Sequence, residues 1–148
     1  MHRKYPKAPI VGVGAVVVSQ GKVLLIRRGN APNQGQWSIP GGIVELGETM
    51  AQAAIREVHE ECQIEIEPGD VLSLYELIQR DETGRIQYHY VLIDLMARYV
   101  RGEPVAGTDA MEVRWAEEAD LDKLDIIPRL LPVLRKAFHP ASKISNNC

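Results

Sequence analysis

Cysteine is scarce in this chain: Cys62 falls in the middle of a helical pattern and Cys148 is the last residue. Neither has a partner at metal-site spacing, which excludes a cysteine-built zinc cluster or a disulfide framework and suits a reducing compartment. Long apolar runs are also missing. The most apolar stretch near the start, Ala8 to Val18, follows His2, Arg3, Lys4 and Lys7 and so superficially copies a signal peptide. Pro9 interrupts it, its β-branched residues suit a strand, and Ser19-Gln20-Gly21-Lys22 reads as a hairpin turn into Val23-Leu24-Leu25-Ile26. No segment approaches the roughly 20 apolar residues of a membrane-spanning helix. Excess positive charge is absent as well, with 17 Lys and Arg against 20 Asp and Glu. That balance disfavours nonspecific attachment to nucleic acid or to an anionic membrane. A small charged metabolite is compatible, because a bound cation neutralises its phosphates locally. Repeats, low-complexity runs and interdomain linkers are lacking too, so the expectation is one cytoplasmic domain over residues 10–138. An N-terminal tail (1–9) and a poorly ordered C-terminal tail (139–148) flank it.

Strand-like runs are present at Val11 to Val18, Val23 to Arg27, Val71 to Gln79, Ile86 to Val100 and Met111 to Trp115. Turn signals such as Asp81-Glu82-Thr83-Gly84 separate them, and most neighbours read as hairpin-connected. Two helical patterns interrupt the strands, Met50 to Cys62 and about Pro128 to Phe138. In the second, Ile127, Leu130, Leu131, Leu134 and Phe138 recur at helical spacing, so that helix is expected to lie on the sheet. Pro132 is tolerated there, since its missing N–H falls in the first turn, where donors are unpaired anyway. The fold class is α+β, a mixed sheet with helices packed on it.

The informative stretch is the glycine-rich loop Gly41 to Thr49 leading into the first helix. Thr49 and Gln52 form a capping box that sets the helix start. Ala51, Ala54, Ile55, Val58 and Cys62 make an apolar stripe. At about 100° per residue, Glu57, Glu60 and Glu61 then share the neighbouring sector. Solvated helix faces often carry such a trio. Here, however, like charges at these spacings repel, no Lys or Arg is interleaved on that sector, and the helix N-terminus is too far away to help. A hard divalent cation, which takes carboxylate oxygens, water and substrate phosphates, removes the conflict.

These residues resemble the Nudix hydrolase signature: glycine, five residues, Glu, seven residues, then Arg-Glu-apolar-x-Glu-Glu-x-Gly-apolar. The chain supplies Gly42, Glu48, Arg56, Glu57, Val58, Glu60, Glu61 and Ile64, and departs only at Gln63, where the family has glycine at the helix exit. Trp37-Ser38-Ile39-Pro40, Val23 to Arg28 and Val113-Arg114-Trp115 resemble the family's flanking segments. The resemblance implies a Nudix-type α/β/α sandwich, a mixed sheet between helices. It also implies hydrolysis, dependent on Mg²⁺ or its substitute Mn²⁺, of a phosphoanhydride bond in a nucleoside diphosphate linked to another group.

By the same resemblance, Glu57 and Glu61 are metal ligands, joined by the backbone carbonyl of Gly41. Glu60 is either a third ligand or the base that orients water. Glu48 and Arg56 form a structural ion pair. Among carboxylates outside the signature, Asp109 and Glu112 are candidates for a catalytic base or extra ligand, although ordinary loop and strand charges occupy such places too. Arg27, Arg28 and Arg80 are candidate phosphate or ribose contacts, and Tyr88, in the run Tyr88-His89-Tyr90, a candidate base-stacking residue or a cross-strand packing one. The run Tyr88 to Asp94 is similar to small ADP-ribose pyrophosphatases, so ADP-ribose or a related nucleotide sugar leads. Nucleoside triphosphates follow, and a noncatalytic nucleotide sensor comes third. A homodimer stays open by analogy with the family.

Overall fold

The computed structural model describes residues 3–107 and 109–139. The strands are β1 (Ile10–Ser19), β2 (Lys22–Arg28), β3 (Trp37–Ser38), β4 (Gly41–Ile43), β5 (Glu65–Arg80), β6 (Ile86–Arg101) and β7 (Ala110–Glu117). Helix α1 (Met50–Cys62) lies between β4 and β5, and α2 (Leu130–Phe138) follows a 3-10 turn at Glu118–Asp122. One mixed sheet runs β3-β2-β1-β6-β5, with β4 pairing β1 and β7 pairing β2. The β1–β6 pair is parallel, with Ile10 against Tyr90 and Val18 against Arg98.

Hairpins join β1 to β2 and β5 to β6, as the turn signals led one to expect, but β1–β6 and β2–β7 bring together strands distant in sequence. That corrects the largely hairpin-connected picture. Strand β1 also changes partner along its length. It meets β2 only at Val18 and Ser19, while Gly12 to Gly14 pair with β4. The two strands part, and the Gly41–Gly42 segment fills the gap.

The sheet is buried on both faces. Val13, Ala15, Val17, Leu24 and Ile26 pack against Ala53, Ala54, Val58 and Cys62 of α1. On the other side Val16, Val23, Leu25, Trp37 and Ile39 pack against Leu130, Leu134 and Ala137 of α2. This is the expected α+β sandwich. Burial of a Leu134-sized side chain contributes on the order of 2 kcal/mol, so α2 is held by a few such contacts rather than by helix propensity. Strand β5 begins at Glu65, earlier than expected, because irregular pairing around Pro68 lets it continue along the sheet edge.

Ahead of β1, the Tyr5 hydroxyl donates to Asp81 at 2.7 Å. The expectation for 139–148 lies outside the described residues except for His139, whose ring meets Glu118 at 2.9 Å. Among the described residues no helix is long and apolar enough to cross a membrane.

Candidate active site

Helix α1 starts on the anticipated box: Gln52 N–H donates to the Thr49 hydroxyl at 3.0 Å, and Thr49 N–H to the Gln52 side chain at 2.9 Å. Its buried face is Ala53, Ala54, Val58 and Cys62, whereas Ala51 and Ile55 are exposed. The apolar stripe is therefore rotated from the expected one. Glu57 and Glu61, four residues apart, lie on one row along the edge of this inner face. Glu60 stands one step, about 100°, further out, and 58% of its side chain is exposed against 16% for Glu57.

The trio thus does not converge as a unit. Among the described residues, no three His, Cys, Asp or Glu side chains stand close enough to hold an ion alone. Glu60 is the most exposed of the three, and the spacing argument overlooked a cation among them. Arg56 lies within reach on the same helix and donates to Glu57 at 2.9 Å and to Glu60 at 3.4 Å. Its other nitrogens donate to Glu48 at 2.7 and 2.9 Å and to the Ile43 carbonyl at 3.0 Å. A rigid five-donor fork suits that task. One guanidinium ties the loop to the helix and offsets part of the acidic repulsion. It holds the Glu48 carboxyl down at about 2.

Glycines shape the space in front of the pair. A Cβ on Gly42 would collide with the Glu57 carboxyl, and one on Gly41 would collide with the Val13 carbonyl. The bare backbone at Gly41 is thus required by strand packing, and that at Gly42 by a carboxylate. Gly41 N–H donates to Glu61 Oε1 at 2.9 Å. Burial nevertheless pushes the Glu61 carboxyl up to about 7, and the Glu57 charge adds to the rise. Glu57 is also raised by burial, with Arg56 opposing. Two half-buried carboxylates that resist ionising together, one packed against Gly42 and the other accepting from the Gly41 N–H, fit a hard dication whose remaining shell is water and phosphate oxygen.

The surrounding candidates divide. Arg28 is half-buried, donates to the Pro32 carbonyl at 2.8 Å, and feels the charges of Glu61 and Asp109. Asp109 accepts from Asn30 at 3.2 Å, and its charge acts on Glu61. The loop before β7 is held to the end of α1, with Val105 and Gly107 N–H groups donating to the Cys62 and Glu61 carbonyls. Glu112 instead pairs with Arg27 at 3.0 Å across the β2–β7 ladder. Arg80 donates to the Gly84 carbonyl in the β5–β6 turn. Tyr88 stacks on Tyr90 with ring centres 6.4 Å apart. Burial raises the Tyr90 hydroxyl, with the charges of Arg3 and Arg28 opposing the rise.

A sheet between two helices, with a glycine-cradled carboxylate pair at the point where β1 and β2 separate, defines a site for handling charged oxygens. The chain belongs to the Nudix family: the family model described as NUDIX domain matches residues 8–137. It is 35% identical over 116 residues to an ADP-ribose pyrophosphatase of Methanocaldococcus jannaschii, a match covering 78% of this chain and 66% of that protein. It is 39% identical over 75 residues to a CTP pyrophosphohydrolase of Escherichia coli K12, covering 50% of this chain and 53% of that one. The chain thus spans just under two thirds of the first relative and about half of the second. A crystal structure of a MutT NUDIX hydrolase from Burkholderia pseudomallei shares 32% identity at a TM-score of 0.70, over 90% of this chain and 98% of that one.

Proposed function

We propose that this protein is a cytoplasmic, Mg²⁺-dependent hydrolase, with Mn²⁺ as a substitute, that cleaves the phosphoanhydride bond of ADP-ribose or a related nucleotide sugar. The observation that carries this reading is the pairing of Glu57 and Glu61 beside Gly41 and Gly42. It supplies oxygen donors for a dication. When bound, the ion supplies neutralisation of phosphate oxygens and acidification of a water.

The chain's own residues do the rest. Glu57 and Glu61 hold the ion, with the Gly41 carbonyl as a further donor. Arg56 keeps Glu57 aimed inward while Glu48 keeps Arg56 in place. Glu60 and Asp109 are the carboxylates available to take the proton from the attacking water. Arg28 is placed to meet the phosphate charge, and the Tyr88–Tyr90 pair offers a face for the base. Similarity to the M. jannaschii protein supports ADP-ribose. The shorter match to a CTP pyrophosphohydrolase favours a second reading, hydrolysis of nucleoside triphosphates.

Product analysis separates the two. Purified protein with Mg²⁺ is expected to convert ADP-ribose into AMP and ribose 5-phosphate. Release of pyrophosphate from nucleoside triphosphates, with ADP-ribose left intact, would replace the first reading by the second.

A further inference from the structure

The connection from β2 to β3 closes on itself. Arg28 N–H donates to the Gln36 carbonyl and Gly35 N–H to the Arg28 carbonyl, both at 2.8 Å. Inside this ring the Pro32 carbonyl accepts from Arg28 Nε at 2.8 Å. The loop therefore holds the very side chain that is placed to meet phosphate charge. It also reaches outward: Asn30 Nδ2 donates to Asp109 Oδ1 at 3.2 Å, and Gly29 N–H donates to the Asp109 carbonyl at 3.1 Å. In sequence Asn30 is one more turn former, since its partner lies 79 residues away.

Both partners stand at the site end of the sheet. Counting along the β1–β2 pair from Val18 and Val23 brings Gly29 about level with Gly12, which pairs with Ile43 next to Gly41 and Gly42. Arg28 pairs with Ala110, so β7 begins at the same level. On the other side of Asp109, Gly107 N–H donates to the Glu61 carbonyl at 2.7 Å, and a Cβ on Gly107 would collide with the Glu60 carbonyl. Two residues of chain reach at most about 7 Å, so Asp109 stays close to the helix end that carries Glu60 and Glu61. The segment before β7 is pinned on either side of it, to α1 by Gly107 and to the β2–β3 ring by Gly29.

The chemistry of the Asn30 contact is distinctive. Among the described residues Asn30 is the one side-chain donor to the Asp109 carboxylate, and no Lys, Arg or His forms an ion pair with it. Glu112, by contrast, is tied to the Arg27 guanidinium. A neutral amide aims one carboxylate oxygen without the tight charge pairing a guanidinium brings, and the second oxygen keeps its lone pairs. A group that must take a proton needs both properties, fixed direction and a free oxygen.

We propose that Asn30 is a positioning residue for the hydrolysis, holding Asp109 Oδ1 so that Oδ2 takes the proton of the attacking water. As that proton moves to Oδ2, the water oxygen bonds to phosphorus and the bridging P–O bond breaks, its electron pair leaving with the departing phosphate. The proposal rests on the reading of Asp109 as a proton acceptor and links that residue, through one loop, to Arg28.

The test uses the full-length protein at saturating Mg²⁺, with the variants Asn30→Ala, Asp109→Asn, Asn30→Ala/Asp109→Asn and the exchange variant Asn30→Asp/Asp109→Asn. Turnover of ADP-ribose is read as kcat and KM, beside the thermal midpoint. Asn30→Ala is expected to lower kcat by about three- to tenfold, the worth of one hydrogen bond, with KM and midpoint little changed. In the Asp109→Asn background it should add nothing, the sign of a residue acting through another. The exchange variant can rebuild the hydrogen bond with donor and acceptor reversed, yet it leaves no carboxylate at position 109, so kcat should stay at the Asp109→Asn level.

Wild-type kcat in Asn30→Ala beside a slow Asp109→Asn overturns the role of Asn30 alone. So does an undiminished Asn30→Ala effect in the double variant, or recovery of kcat in the exchange variant, which would make the contact merely structural. Wild-type kcat in Asp109→Asn overturns the proton-acceptor reading and this proposal with it. Where nucleoside triphosphates are cleaved and ADP-ribose is not, the same comparison is made on them; if neither is cleaved, the hydrolase reading and the role of Asn30 fall together.

Discussion

Gly42 and Glu57 share one space: the volume a side chain at position 42 would occupy is filled by the Glu57 carboxyl. Gly42 does not have the left-handed backbone that would forbid a larger residue. Gly42→Ala is therefore expected to fold but to displace Glu57. Mg²⁺ affinity should fall roughly 10- to 100-fold, the range for losing a group that orients a ligand. Calorimetric titration with Mg²⁺ checks this, and wild-type affinity in the variant would mean that Glu57 does not bind metal from that cradle.

Protons and metal compete for Glu61. In the folded protein its carboxyl lies at about 7 against 4.5 for an ordinary glutamate, chiefly because it is buried. A group raised in this way adds stability below its unfolded value, and that contribution disappears as pH climbs through the folded value. Metal-free protein should thus lose stability between about pH 4.5 and pH 7 from this group. Mg²⁺ binds the ionised form, so the rise in thermal midpoint on adding it should be small near pH 5.5 and large near pH 8, roughly on either side of the Glu61 value. A metal-induced rise independent of pH would contradict the pairing.

Two carboxylates outside the signature can be told apart. Asp109 acts electrostatically on Glu61, whereas Glu112 is engaged with Arg27 on the β2–β7 ladder. Asp109→Asn should lower kcat by at least about tenfold, the lower part of the range for lost proton-transfer assistance. Glu112→Gln should leave kcat within about twofold, as for an exposed ion pair. The reverse order, read from kcat values at saturating Mg²⁺, would move the role to Glu112.

The departure from the family signature has a structural cost. Gln63 ends α1 at φ 60°, and its N–H donates to the His59 carbonyl. Glycine adopts that left-handed conformation without steric penalty. Gln63→Gly is expected to stabilise the protein by about 1 kcal/mol, seen as a higher denaturant midpoint with unchanged turnover. A lower midpoint would show that the Gln63 side chain has a role of its own.

Much of this was legible in the chain. The Thr49–Gln52 box, the Gly42 to Ile64 signature and the spacing of Leu130 and Leu134 depend on near neighbours, and local rules suffice for those. Other features depend on distant partners. The rotation of the α1 stripe toward Ala53 follows from which face the sheet covers. The tie among Glu48, Glu57 and Glu60 follows from one long Arg56 side chain that reaches all three carboxylates. The parting of β1 from β2, with β4 inserted between, needs the Gly14–Gly41 approach, and no periodicity reports such an approach.

The most direct test is Glu61→Gln, which keeps shape and volume while removing a negative oxygen from the metal pair. Its circular dichroism and thermal midpoint in metal-free buffer should match or exceed those of wild type, and Mg²⁺-dependent ADP-ribose turnover should fall by a factor on the order of a thousand or more. Turnover equal to wild type at saturating Mg²⁺ would contradict the claim that Glu61 and Glu57 hold the ion on which the chemistry depends.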